Sequence, residues 1–99
     1  MNGILVLGET ILDMTPVGGA RFEPALGGSA YNTARALGAL GADVRFAGAV
    51  SRDDWGGRFR SSLVEKRVDC ALLRDSDKPM PLALVSPEGA HGPAFTLYL

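Results

Sequence analysis

The sequence predicts an α/β fold with parallel strands, and two observations carry that prediction. Short apolar runs alternate with stretches of helical period, in the order strand, helix, strand, helix, strand. The second observation is length: 99 residues at 46% hydrophobic content hold one modest core and are too short for two domains.

The elements follow in order. "GILVLG", Gly3 to Gly8, is a continuous apolar run between glycines and reads as a strand buried on both faces. A helix starts after Gly28 and covers Ser29 to Leu40, where Ala30, Ala34, Leu37 and Leu40 fall close to one stripe. Gly41 and Asp43 end it and lead into "VRFAGAV", residues 44 to 50, the second strand. Asp53 or Asp54 caps a further helix that runs to about Lys66, with Trp55, Phe59 and Leu63 spaced four apart on one side. "CALLR", Cys70 to Arg74, reads as a third buried strand, and the alternation implies parallel strands joined by right-handed crossovers.

Two segments depart from this pattern. Thr15 to Leu26, with Pro16, Gly18, Gly19 and Pro24, is an excursion from the core. Pro81 to Leu99 has apolar runs Leu82 to Val85 and Phe95 to Leu99 around a Pro- and Gly-rich turn, which predicts an antiparallel hairpin serving as a flap. That division assigns residues 1–14 and 27–78 to the core, and 15–26 and 79–99 to a lid. A final apolar strand would leave an unpaired edge, and three strands make a thin core, so a missing C-terminal portion is expected.

Composition narrows the function. Ten Lys and Arg balance eleven Asp and Glu, for a net charge of -1, which offers no basic surface for nucleic acid or for a membrane. No window approaches the roughly 20 apolar residues of a membrane span, and Met1 to Val6 has no basic stretch ahead of a long apolar run, so the expected location is the cytoplasm. The single cysteine, Cys70, has no partner for a disulfide and no clustered ligands for a metal, and packs as a small apolar residue. His91, in "EGAHGP", reads as a solvated turn residue, while Asp53–Asp54 and Asp75/Asp77 read as a helix cap and a polar loop.

Ligands of open α/β sheets bind beyond the carboxyl ends of the strands. Asp13 lies five residues beyond Gly8, at the exit of the first strand; Gly27, Gly28 and Asn32 lie where the chain enters the first helix. A carboxylate accepts hydrogen bonds from two sugar hydroxyls and an amide both donates and accepts, so the set suits a neutral polyol. Glycines let a ligand approach the backbone, and the free N–H groups of the helix start would equally serve a phosphate. Neither G-x-x-x-x-G-K-[ST] nor G-x-G-x-x-G is present.

The stretch "GGSAYNTARALGALGADVRFAGAVSRDDWGG", Gly27 to Gly57, resembles the N-terminal signature of the PfkB, or ribokinase-like, family of carbohydrate kinases. Two glycines are followed by a small residue, by Asn32 four positions after the second glycine, and by Gly41 at the expected interval. "GETILDMTP", Gly8 to Pro16, resembles the family's first strand and its aspartate in a fructokinase-like form. The resemblance also takes in Asp53 to Gly56 and Pro79-Met80-Pro81, and so spans nearly the whole chain.

The resemblance implies the start of a ribokinase-like three-layer α/β/α sandwich with a small β-sheet lid. It implies ATP-dependent phosphoryl transfer, with Mg2+, to a hydroxymethyl group of a sugar. Asp13, Gly27, Gly28 and Asn32 would hold the sugar hydroxyls, and Tyr98, or Phe95, would contact its apolar face. The family's Gly-Ala-Gly-Asp type segment, which supplies the catalytic base and the charge-stabilising helix N-terminus, is absent from these 99 residues, as are the ATP and magnesium sites. The chain alone is therefore expected to be inactive, with no catalytic residue of its own.

Ser51 stands where the signature closes on glycine, which implies a different turn after the second strand. Ser29 stands where pentose-specific members have lysine, and Leu99 where kinases of acidic sugars and some fructose kinases have arginine. Fructose or another neutral sugar fits best. The alternatives are a nucleoside kinase of the same family and a non-catalytic sugar- or partner-binding remnant. Pairing of two copies through the lid is a further expectation.

Overall fold

A computed structural model describes residues 3–89 and 92–99 of the chain. His91 and its turn fall outside the described residues. Two sheets share the structure: a parallel three-stranded sheet, β1(Ile4–Leu7), β4(Val44–Ser51) and β5(Leu73–Ser76) in the order β1-β4-β5, and a four-stranded sheet. The second sheet is built from β2(Ile11–Gly18), β3(Arg21–Gly27), β6(Leu82–Gly89) and β7(Gly92–Tyr98) in the order β3-β2-β6-β7. Helices α1(Ser29–Ala39) and α2(Asp54–Glu65) complete it.

Both helices form where the residues dictate. Asp53 caps α2, its carboxylate accepting from the backbone N–H groups of Trp55 and Gly56 at 3.1 and 3.3 Å. Phe59 and Leu63, one turn apart, are fully buried and Trp55 packs at their edge. On α1, Tyr31 and Ala34 are fully buried. The Tyr31 ring meets Phe59 edge-on, with centroids 4.9 Å apart and planes at 81°, and its hydroxyl pairs with Ser62 Oγ at 2.6 Å. These side chains close over Val44, Phe46 and Val50 of β4, and each buried aromatic or leucine contributes about 1.5–3 kcal/mol. Gly41, at φ 88°, turns the chain out of α1 toward β4.

Alternation along β4 gives the core sheet two unlike faces. Val44, Phe46 and Val50 are buried under the helices, whereas Arg45 and Ala49 are exposed. The strand Gly3 to Gly8 is therefore not buried on both faces: Leu5 and Leu7, in register with Arg45 and Ala47, are 54% and 70% exposed. This chain supplies two layers of the expected sandwich, with α1 and α2 on one side only. The third strand also starts later than expected. Cys70 to Leu72 form a turn, closed by the Leu73 N–H on the Cys70 carbonyl at 3.0 Å, and the strand covers Leu73 to Ser76.

The four-stranded sheet claims more of the chain than the excursions suggest, because β2 begins at Ile11 and not after Asp13. β2 pairs antiparallel with β3 and parallel with β6, and β6 pairs antiparallel with β7. Pro24 sits on the edge strand β3, and Pro16 lies beyond the short β2–β6 ladder beside a register shift, so neither removes a needed sheet hydrogen bond.

Candidate functional site

Asp13 lies within β2, opposite Ala25 of β3 and Ala83 of β6. Residues paired directly across a sheet share a face, so Asp13 lies on one face with Ile11, Gly27, Ala25, Ala83 and Val85, and with Phe95 and Leu97 of β7. The small neighbours leave the half-buried carboxylate room. Glycine at 27 lets the carboxylate keep its present rotamer, since a Cβ there would stand 2.9 Å from Asp13 Cγ.

Gly28 follows as the N-cap of α1, at φ 105° and ψ 133°, a conformation open to glycine and strained for any other residue. A Cβ on it would stand 2.7 Å from the Glu9 carbonyl oxygen, so the strand exit and the helix entry touch backbone to backbone. α1 has no side-chain cap and no acidic residue in its first turn. No side chain of the cap takes up its first N–H groups, and the Asn32 N–H is the one that closes on the Gly28 carbonyl, at 2.9 Å. The exposed Asn32 side chain begins one turn beyond Gly28.

Asp13, Gly27 and Gly28 therefore lie together where the four-stranded sheet meets α1, with Asn32 one turn along the helix.

Tyr98 does not join them. It pairs with Leu82, whose β2 neighbour is Leu12, and so belongs to the opposite face of the sheet from Asp13. Tyr98 is 54% exposed and borders a cleft of about 720 Å³ between the two sheets, with Gly8, Glu9, Thr10, Ser51 and Met80 among its walls. Phe95, 61% exposed, is the lid aromatic on Asp13's side. Residues 95 and 98 are an odd number apart, so no strand could place both against one sugar.

Sequence reasoning also missed the junction that holds the patch in place. Thr10, 2% exposed, donates from Oγ1 to the Ala49 carbonyl at 2.9 Å, and the Leu12 N–H donates to the Pro81 carbonyl at 2.9 Å. Ser51 ends β4, and its hydroxyl donates to Asp53 Oδ1 at 2.5 Å. That bond, with the backbone N–H groups of Gly56 and Trp55, holds the Asp53 carboxyl below its usual range, so the departure from glycine at 51 serves the α2 cap. Thr10 and Met80 fall within stretches that the family resemblance takes in, but neither carries an expected role there; the pairing of β2 with β6 brings them together. Cys70 is a half-buried free thiol whose burial pushes its pKa up, in keeping with a packing role.

An α/β core carries a second sheet, with a carboxylate and a glycine pair where the two meet. Residues 1–98 match the family model for pfkB family carbohydrate kinases, and the chain belongs to that family.

Among similar proteins, a fructokinase from Klebsiella pneumoniae is 33% identical over 93 residues, covering 93% of this chain and 30% of the relative. The crystal structure of a fructokinase from Xylella fastidiosa superposes with a TM-score of 0.85 at 27% identity, covering 98% of this chain and 33% of that one. A fructokinase from Vibrio cholerae O395, in apo form, gives 0.83 at 27% identity, over 100% of this chain and 34% of that one. The chain thus spans about a third of the length of these relatives. Among the described residues, no helix is long and apolar enough to cross a membrane.

Proposed function

We propose that this chain is the sugar-facing part of an ATP-dependent carbohydrate kinase, one that phosphorylates a hydroxymethyl group of fructose or a similar neutral sugar. The observation that carries the reading is the Asp13 carboxylate set against Gly27, beside a glycine-capped helix start with open N–H groups. Asp13 accepts from two adjacent sugar hydroxyls, Gly28 lets the sugar reach the first N–H groups of α1, and Asn32 donates and accepts beside them. Phe95, on Asp13's face, covers the sugar's apolar side as part of a lid formed by the four-stranded sheet. Tyr98 takes no part in the sugar contact.

ATP and Mg2+ would supply the phosphoryl group and its charge neutralisation from segments outside this chain. The patch itself does not fit the nucleotide, since its carboxylate opposes phosphate. The fructokinases among the relatives favour fructose, and the lack of a charged side chain at Leu99 favours a neutral sugar over an acidic one. Phe22, an exposed apolar residue on the face of the four-stranded sheet away from Asp13, supports pairing of two copies through that sheet, which sedimentation at two concentrations checks.

Calorimetry with fructose, ribose and a nucleoside, together with a coupled ADP assay on the intact polypeptide carrying this chain, tests the reading. Binding and turnover of fructose, both lost in Asp13→Asn, are expected. Preference for the nucleoside would replace it with a nucleoside kinase. The 99-residue chain alone should produce no ADP.

A further inference from the structure

We propose that the Met80 thioether is the pin that sets the four-stranded sheet against the core, which makes Met80, with Thr10, a positioning residue for the sugar site. The chain passes between the sheets at three places: residues 8–10, Gly28, and residues 77–81. The first and the last of these passages meet at one sulfur atom. Thr10 Oγ1 lies 3.9 Å from Met80 Sδ while bonded to the Ala49 carbonyl, and the Ser51 N–H donates to the same sulfur at 3.4 Å. Met80 is 7% exposed, Thr10 2% and Ser51 5%, so no solvent takes over these roles.

A buried backbone N–H needs a partner, and for Ser51 the sulfur is that partner. A hydrocarbon side chain of equal size would fill the space and orphan the donor. A thioether is also a weak, soft acceptor on an unbranched side chain, which tolerates changes in angle better than a carbonyl ladder does. The position is therefore suited to a joint between two sheets.

The functional consequence comes from where the sugar ligands sit. Asp13 belongs to the four-stranded sheet and Asn32 to α1, which packs on the core sheet. Met80, touching both the 8–10 passage and the end of β4, is one of the contacts that hold the two bodies together. This part of the inference rests on the sugar site proposed above; the hydrogen-bonding part does not.

The experiment uses the intact polypeptide carrying this chain, with Met80→Leu, norleucine at position 80 as the shape-preserving second variant, and Thr10→Val. Amide exchange at Ser51 is expected to accelerate at least tenfold in both position-80 variants. The KM for fructose is expected to rise about two- to tenfold, in line with one or two lost hydrogen bonds, with the nucleotide KM unchanged. Thr10→Val should raise the fructose KM in the same direction, and combining it with norleucine should give less than the product of the two effects. Unchanged Ser51 exchange in the folded norleucine variant overturns the pin, whatever the enzyme does. Faster exchange with an unchanged fructose KM in an active enzyme overturns the positioning role. If the parent protein phosphorylates no sugar, the kinase reading fails while the exchange result still decides the pin.

Discussion

Replacing Gly28 by alanine tests the backbone contact on which the patch depends. Two separate penalties meet at this position. Holding an L-residue in a sparsely populated region such as φ 105° and ψ 133° costs of order 1–3 kcal/mol. The added Cβ would stand 2.7 Å from the Glu9 carbonyl oxygen, a backbone atom that cannot swing aside, and overpacking of this kind costs about 1–3 kcal/mol more. A small shift of the Glu9 segment relieves part of both, so the expected loss is about 2–4 kcal/mol.

Gly41 supplies the internal control. Its φ is 88°, yet nothing lies within 4 Å of a Cβ built there, so Gly41→Ala carries the backbone penalty alone. The two variants are compared by urea unfolding, each read as a shift of midpoint at constant slope. Gly28→Ala should lose at least about 1 kcal/mol more than Gly41→Ala, from the contact together with its own backbone conformation. Equal losses would refute the claim that strand exit and helix entry touch, and with it the physical reason for a glycine at 28.

Asp13→Asn should weaken fructose binding about ten- to a hundredfold, the worth of a charge-assisted hydrogen bond pair, with little change in melting temperature; calorimetry and a thermal scan check both. Phe95→Ala should raise the fructose KM more than Tyr98→Ala does, because only Phe95 shares Asp13's face; steady-state kinetics on the two variants decide it. Tyr31→Phe should cost about 1 kcal/mol by urea unfolding, through loss of the Ser62 hydrogen bond, while the ring contact with Phe59 persists. The lowered pKa of Asp53 gives a signed pH effect. Its contribution is fully present above the ordinary aspartate range, near pH 4, and is lost as pH falls through the lowered value; Asp53→Asn should flatten that limb of an acid titration.

Much of the core was legible because its signals are local. The α1 and α2 boundaries, the Asp53 cap, and the Phe59 and Leu63 stripe each depend on residues within a turn or two of one another. The strand at Cys70 was misplaced because an apolar run does not distinguish a turn packed on the core from a strand beside it; here the pairing partner, Gly48 for Leu73, decides. Burial of Leu5 and Leu7 was overestimated for a related reason, since an apolar strand announces two faces to cover, not which covers are present. At the site, Asp13 and the glycine pair stood out by residue type. The face that Asp13 occupies, and the exclusion of Tyr98 from it, required the register between β2, β6 and β7. Thr10 and Met80, 70 residues apart in sequence, lie within matched stretches, but nothing local marks their meeting.

The order of the four-stranded sheet also bears on how the chain acquires its shape. β2 and β3 join through a two-residue turn and need no other element, but β2 receives its second neighbour, β6, only after both helices and the core strands have intervened. Closing so long a loop is entropically slow, while each helix of the core meets a strand close to it in sequence. Refolding should therefore run in two stages, with signals from Trp55 and the helices recovering before those of β6 and β7. The carboxylate at Asp13 would gain its full surroundings only at the second stage.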